Sequence, residues 1–234
     1  MTPRSGPPRT AAERLAQGAN IAKPLLRGYL HAAAAVASAV IGTLLILAAR
    51  PDILKQFSIG VFAGSSLLLF GTSATYHVGR WNPRLTGVLR RIDHGNIYVV
   101  IAGTYTPICF NLLSGWTRPA VLIAIWTLAV AGVALVTWSV RLPDWAIAVI
   151  YVGMGWLGLA TAPGIAAAAG AGGVVMLISA GALYSIGAAA YASKRPRLWS
   201  RVFGYHEVFH LFTVLASAMF FAFVAVEVVP HQRP

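Results

Sequence analysis

Seven apolar stretches, each long enough to cross a bilayer, constrain the fold of this chain more than any other feature. The hydrocarbon core of a membrane requires about 20 apolar residues per helix. By that criterion the predicted spans are residues 29–49, 57–78, 94–113, 118–139, 144–163, 171–192 and 205–228. Only 10% of the residues are charged, whereas soluble domains carry about 25%. The sequence therefore predicts an all-α membrane protein, a bundle of seven transmembrane helices.

The distribution of basic residues predicts how this bundle is oriented. When successive loops are placed on alternate sides of the membrane, fourteen of the 18 lysines and arginines fall on the side of the N-terminus. Loops rich in lysine and arginine stay in the cytoplasm. We therefore expect a cytoplasmic tail over residues 1–28, the membrane domain over residues 29–228 and an external tail over residues 229–234.

The net charge of +12 could suggest a nucleic-acid partner. The basic residues, however, lie between the apolar runs and form no continuous stripe, which is typical of topology signals. We therefore expect no nucleic-acid partner, and no soluble partner is evident from the sequence.

Ionisable side chains near the ends of three predicted spans mark a candidate site. Such residues are costly in a membrane and usually face the bundle interior, where they serve a function. His77 ends the second span, Asp93 immediately precedes the third, and His206 and His210 lie in the first turns of the seventh. With alternating spans, all four residues fall at the same depth, so we expect them to meet near the cytoplasmic face.

The helical phase of nearby polar residues supports this convergence. Positions i, i+4, i+7 and i+11 share one face of a helix. The polar faces are Ser66, Ser73 and His77 on the second span, Asp93, Asn96 and Thr104 on the third, and His206, His210, Thr213 and Ser217 on the seventh. Each face predicts a narrow polar stripe that turns toward other helices and away from lipid.

Histidines at one depth predict a metal site. His206 and His210 offer two imidazoles from one helix face, and His77 offers a third. Neutral imidazole suits Zn²⁺, and a three-histidine site leaves one position open, as catalytic zinc requires. We expect Asp93 and Ser73 beside the ligands, where they would orient a metal-held water or the His77 ring.

The other polar residues of the spans have simpler interpretations. His31 is expected to be a packing residue that reaches the membrane interface at the start of the first span. His94 lies about 100° around the helix from Asp93 and is also expected to be a packing residue. Glu207 is expected to cap the first turn of its helix. Because Cys109 is the single cysteine, an internal disulfide and a cysteine-rich zinc site are excluded.

The residues of this candidate site also carry a resemblance to a known family. The chain resembles the haemolysin III family in S-A-T-Y-H at 73–77, R-R-I-D-H-G-N-I-Y at 90–98, A-G-T-Y-T-P at 102–107 and H-E-V-F-H at 206–210. That family is the bacterial branch of the progestin and adipoQ receptors, which include the adiponectin receptors. The resemblance implies a multi-pass protein of the bacterial cell membrane that binds zinc near the inner face through His77, His206 and His210. It also implies that Asp93 holds a water on the zinc and that Ser73 lies close by.

Several functions remain open at this point. The favoured one is a zinc-dependent intramembrane hydrolase of lipid amide or ester bonds, similar to ceramidases and involved in membrane lipid homeostasis, with membrane lipids as substrate or ligand. The main alternative is a receptor-like sensor in which zinc is structural. H-E-x-x-H also matches zinc proteases, but those of membranes need an acidic third ligand in an Asp-Gly setting, which Asp93 lacks. A pore-forming haemolysin would need a soluble form, which this composition does not favour.

Overall fold

The fold is entirely helical in the part of the chain that the computed structural model describes, residues 28–138, 143–196, 198–199 and 202–233. The described helices are α1 (Tyr29–Ala48), α2 (Ile53–Val78), α3 (Pro83–Leu112), α4 (Thr117–Thr137), α5 (Asp144–Trp156), α6 (Ala162–Ser193) and α7 (Tyr205–Phe223). A 3-10 turn, Leu157–Thr161, joins α5 to α6, and a π turn, Val224–Val228, follows α7. These residues form no β-strand, only an isolated bridge between Trp199 and Phe203. The predicted all-α class is confirmed; residues 1–27 of the predicted tail, and the loop arginines at 141, 197 and 201, lie outside the described residues.

Five segments of the described chain are long and apolar enough to cross a membrane. They are Tyr29–Ala48, Ile53–Val78, Thr117–Thr137, Trp145–Ser193 and Tyr205–Val228. The helix α3 is not among them, and its first three turns carry three arginines and Asp93. The count of seven spans and the sides of the two termini remain predictions.

The longest of these segments, 49 residues from Trp145 to Ser193, is folded back on itself. Gly170 interrupts α6 with φ 65° and ψ −174°, a conformation that costs glycine little. Across this break the indole N–H of Trp156 donates to the hydroxyl of Ser185 at 2.9 Å, although the two residues are 29 apart in sequence. In a continuous helix they would be roughly 43 Å apart at 1.5 Å per residue. The chain therefore reverses at Gly170, inside the Gly/Ala-rich stretch where the sequence predicts a turn.

The connection between α2 and α3 is shorter than expected. The sequence predicts a loop that reaches the third span at residue 94, but α3 already begins at Pro83. The side chain of Asn82 accepts the N–H of Leu85 at 2.9 Å, and proline fits the first helical turn, where its missing N–H is not needed. The predicted length of this loop is wrong. Charged residues are excluded from the apolar core of the membrane, but they can still form helix at its surface.

The helix α3 forms the centre of the bundle. It packs against α2 and α4 and also contacts α5, α6 and the π turn. Most of its second half is buried. Gly103 allows the close approach of α2, because a Cβ there would overlap the Ser65 hydroxyl. The helix α7 packs between α6 and α1, which closes the bundle and brings both ends of α7 next to other helices.

Candidate metal centre

One end of the bundle, here called the histidine end, contains the start of α1, the end of α2 and the start of α7. His77 lies in the last turn of α2, while His206 and His210 lie one turn apart on α7. Glu207 fixes the start of α7, because its Oε2 accepts the N–H of Gly204 at 2.8 Å and it is almost fully buried. The expected capping role of Glu207 is confirmed.

Three imidazoles converge at this end. One ring nitrogen from each of His77, His206 and His210 lies within 4.8 Å of the others. The Nε2 atoms of His77 and His206 are 3.2 Å apart. Two nitrogens on one tetrahedral Zn²⁺, each at about 2.0–2.1 Å, are about 3.3 Å apart. The observed spacing therefore suits a shared metal ion.

The two predicted partner residues lie beside this cluster. The Oδ2 atom of Asp93 is 3.9 Å from Nε2 of His77. Ser73, one turn before His77 on α2, is buried, and it lines the same cavity as Asp93. All five predicted site residues thus lie together in the fold, while their individual roles remain predictions.

Comparison with known proteins shows the family of this chain. The chain matches the family model described as Haemolysin-III related over residues 19–221. This chain belongs to the haemolysin III family. It is 32% identical over 164 residues to the Hemolysin-3 homolog of Bacillus subtilis (strain 168), covering 70% of this chain and 74% of that protein. It is 34% identical over 173 residues to the Hemolysin-3 of Bacillus cereus, covering 73% and 74%.

Family membership and the apolar helices together establish the location of the protein. Haemolysin III proteins are bacterial membrane proteins, and several helices of this chain can cross a membrane. The chain is therefore a multi-pass protein of the bacterial cell membrane, as the sequence predicts.

An apolar chamber adjoins His206 and His210, two of the three clustered histidines, in this haemolysin III protein. Together with its open mouth, it contains about 1240 Å³ of space free of protein atoms. Ser73, Asp93, His206 and His210 lie at its polar end, and residues such as Ile97, Val152, Trp156 and Phe209 form its apolar wall. The chamber therefore combines a polar end, next to the histidines, with an apolar wall.

His31 lies inside the bundle and not at the membrane interface, where the sequence predicts it. It is buried, and its ring stacks on that of His210 with centroids 3.9 Å apart and planes 9° apart. The expectation of an interfacial position is wrong because the first turn of α1 packs inward. A signal was present, since His31, Ala34 and Ser38 share one buried face of α1. His94 is consistent with the packing role, because its Nδ1 bonds the carbonyl of Arg90 within the same helix at 2.8 Å.

Proposed function

We propose that this protein is a zinc-dependent intramembrane hydrolase of lipid amide or ester bonds, with a role in membrane lipid homeostasis. The observation that supports this most is the junction of the three-histidine cluster with the apolar chamber. A pocket with apolar walls and a few convergent polar groups is complementary to a lipid that carries one reactive carbonyl on a long chain. The proposed substrates are therefore membrane lipids.

The three histidines fit zinc by their chemistry, and one pair of them also fits it by spacing. His77, His206 and His210 offer only nitrogen donors, which Zn²⁺ accepts readily, and two of these donors are 3.2 Å apart. Bound zinc would act as a Lewis acid toward a carbonyl oxygen and make water more acidic. The three ligands leave one coordination position for these tasks.

In the proposed reaction Asp93 would transfer a proton, and Ser73 would position Asp93. The Oδ2 atom of Asp93, close to the His77 ring, would accept a proton from the attacking water. That water adds its oxygen to the carbonyl carbon, and the bond from this carbon to nitrogen or oxygen breaks. Asp93 then returns the proton to the leaving group, which gives a fatty acid and an amine or an alcohol. The hydroxyl of Ser73 would hold the carboxylate in place.

The test combines metal analysis with product analysis on protein in nanodiscs. Zinc-loaded wild type is expected to release fatty acid from at least one member of a panel of ceramides and ester lipids, measured by mass spectrometry. Asp93→Asn should retain zinc but lose about 100-fold or more in rate, which is typical for removal of a general base. Zinc-loaded wild type that releases no fatty acid from any lipid in the panel would contradict the proposal.

A structural role for zinc is the alternative, and one observation favours it. The interacting rings of His77 and His206 are 129 residues apart in sequence, so an ion between them would also join α2 to α7. A receptor-like lipid sensor could use such a site for stability alone. In that case His77→Ala should lower thermal stability, whereas Asp93→Asn should leave function intact.

We also propose seven spans with the N-terminus in the cytoplasm and the C-terminus outside. The distribution of basic residues and the reversal at Gly170 support this topology. Single cysteines test it in a Cys109→Ser background. A membrane-impermeant maleimide added to intact spheroplasts should label Ser114→Cys but not Lys194→Cys, and the reverse pattern would exclude the proposed orientation.

A further inference from the structure

A second, smaller cavity adjoins the chamber on the side away from the histidines. Together with its opening, it contains about 600 Å³ of space free of protein atoms. Six residues, here called the neck, belong to the walls of both cavities. They are Thr104, Tyr105, Gly155, Trp156, Gly181 and Phe220. The two cavities therefore meet at the neck.

The neck and the second cavity lie progressively farther from the histidine end. Along α3, Thr104 of the neck is 11 residues after Asp93, and Ile108 of the second cavity is 15 residues after it. At 1.5 Å per residue, these separations correspond to about 16 and 22 Å along the helix. An extended chain of single bonds advances about 1.2 Å per bond, as in extended backbone, so an acyl chain of about 18 carbons is long enough to pass the neck.

The wall of the second cavity is suited to an alkyl chain. Each polar side chain of this wall donates its hydrogen to another group of the protein at 2.7–2.9 Å. These side chains are Thr104, Tyr105, Trp156 and Thr161. None of the lining residues, all of which lie in the described part of the chain, is charged. Because a polar group that is buried without a partner is costly, the apolar part of a ligand fits this cavity best.

We propose that the second cavity binds the methyl end of a long acyl chain, and that Gly181 and Trp156 of the neck determine the longest chain accepted. This rests on the proposed function, which places the reactive carbonyl of the lipid at the histidine end. A Cβ at residue 181 would lie 3.4 Å from the ring of Trp156, and the indole is held by its hydrogen bond to Ser185. A side chain larger than methyl at residue 181 would therefore occupy the neck.

The experiment locates the chain by photolabelling and requires no turnover. The long probe is octadecanoic acid with a diazirine at its methyl end. The short probe is octanoic acid with the same group, whose reach of about 10 Å ends before the neck. Each probe is photolysed with zinc-loaded protein in nanodiscs, and the labelled residues are identified by mass spectrometry. Only label that an excess of unlabelled octadecanoic acid removes is counted, because it reports a saturable site and not the lipid-facing surface.

Two glycine variants form the comparison. Gly181→Leu fills the neck. Gly153→Leu is the matched control, because Gly153 belongs to neither wall and a Cβ there would meet open space. It is also exposed on α5, the helix that carries Trp156.

The expected result is a selective loss of label in the second cavity. In the wild type, the long probe should label residues such as Ile165, Val174 and Leu177, and the short probe should label only residues before the neck. Gly181→Leu should reduce the label of the long probe in the second cavity by about tenfold or more, because overpacking excludes the chain from the neck. Its label from the short probe should not change, and Gly153→Leu should behave like the wild type with both probes.

Other results contradict the inference separately from the proposed function. If the long probe labels the second cavity equally in Gly181→Leu and in the wild type, the neck does not limit chain length. If the counted label of the long probe in the wild type lies only before the neck, or is absent, the second cavity does not bind the chain. Fatty-acid release from the lipid panel then still decides the proposed function. If Gly181→Leu loses the label of both probes, its fold is disturbed, and Leu177→Trp, which fills the second cavity from its own wall, replaces it. Unchanged label of the second cavity in Leu177→Trp would overturn the inference.

Discussion

The two ends of the bundle both connect α2 to the segment around α7, but they use polar side chains differently. At the histidine end, His77 of α2 meets His206 and His210 of α7. At the opposite end, here called the C-terminal end, Lys55 and Asp52 at the start of α2 meet the residues that follow the π turn. One end thus brings together groups of the same kind, and the other pairs groups of opposite kinds.

At the C-terminal end, Lys55 and Asp52 find their partners within the protein. The buried ammonium of Lys55 donates to the carbonyl of Val229 at 3.0 Å and also to that of His231. The carboxylate of Asp52 accepts the N–H groups of Leu54 and Lys55 at 3.1 and 3.0 Å, and it pairs with Arg233 at 3.1 Å. Donors meet acceptors throughout these contacts, which indicates a structural connection.

The histidine end differs in the kind of side chains that it brings together. Three imidazoles approach one another closely enough to share an ion, and a carboxylate and a hydroxyl lie beside them. Converging nitrogens of one kind gain most from a common cation, whereas paired opposite groups gain most from each other. The comparison therefore favours the histidine end as the place of the proposed function.

The largest expected effect separates the two ends by metal content. His77→Ala should lose zinc, with affinity reduced by more than about 100-fold, because removing a ligand costs more than removing its hydrogen-bonding partner. Lys55→Met should keep the zinc content of the wild type. Metal analysis of both purified variants, together with chelator competition, makes the comparison. If His77→Ala contained as much zinc as the wild type, the histidine end would not be the zinc site.

A second prediction concerns Gly28, which begins α1 beside the cluster. Its φ is +89°, and a Cβ there would lie 2.9 Å from Cβ of His77. Gly28→Ala should therefore cost about 2–4 kcal/mol in the free energy of unfolding, from backbone strain and from overpacking together. Because the clash displaces His77, zinc affinity should also fall.

Gly115→Ala is the matched control for this effect. Gly115 also has a positive φ, +55°, but a Cβ there would meet open space. Its replacement should cost only the backbone term, about 1–2 kcal/mol, and leave zinc affinity unchanged. Chemical unfolding and chelator competition measure both quantities. Equal zinc affinity in the two alanine variants would show that the start of α1 does not position His77.

The histidine cluster could be predicted because the spacing and the position of its members can be recognised in the sequence. His206 and His210 are four residues apart, which fixes one helix face, and His77 lies at a span end, which fixes its depth. Lys55 could not be assigned in this way, because its partners are backbone carbonyls. Every residue has such a carbonyl, so the partners carry no sequence signal.

His31 and the start of α3 show two further reasons why the sequence was insufficient. The partner of His31 is His210 on a distant helix, and a stacked pair of that kind has no fixed spacing in the chain. The start of α3 was misplaced because hydropathy marks the apolar core of a span and not the ends of its helix. Spans and faces are thus local properties of the chain, whereas ring contacts and helix extensions depend on the packed bundle.

A third prediction tests the structural role of the C-terminal end. Lys55→Met keeps the long side chain but leaves the carbonyls of Val229 and His231 without this donor. The free energy of unfolding should fall by about 1–3 kcal/mol, the cost of a buried polar group that loses its partner. Thermal unfolding followed by fluorescence provides the measurement, with Gln56→Met, the next residue of α2, as the control. A variant as stable as the wild type would mean that this lysine contributes nothing to the connection between the helices.

The smallest expected effect is a pH dependence confined to the C-terminal end. The N–H of Lys55 and the nearby Arg233 hold the pKa of Asp52 below its usual value of 3.8. A carboxyl whose pKa is lowered by folding stabilises the folded state fully above that usual value, and the stabilisation disappears as the pH falls through the lower folded pKa. The unfolding midpoint should therefore decrease slightly more on acidification below pH 3.8 in the wild type than in Asp52→Asn, which keeps a capping oxygen but cannot ionise. Because the pair is partly exposed, salt should weaken the difference. Parallel slopes for the two proteins across this range would show that the charge of Asp52 contributes nothing and that only its capping hydrogen bonds matter.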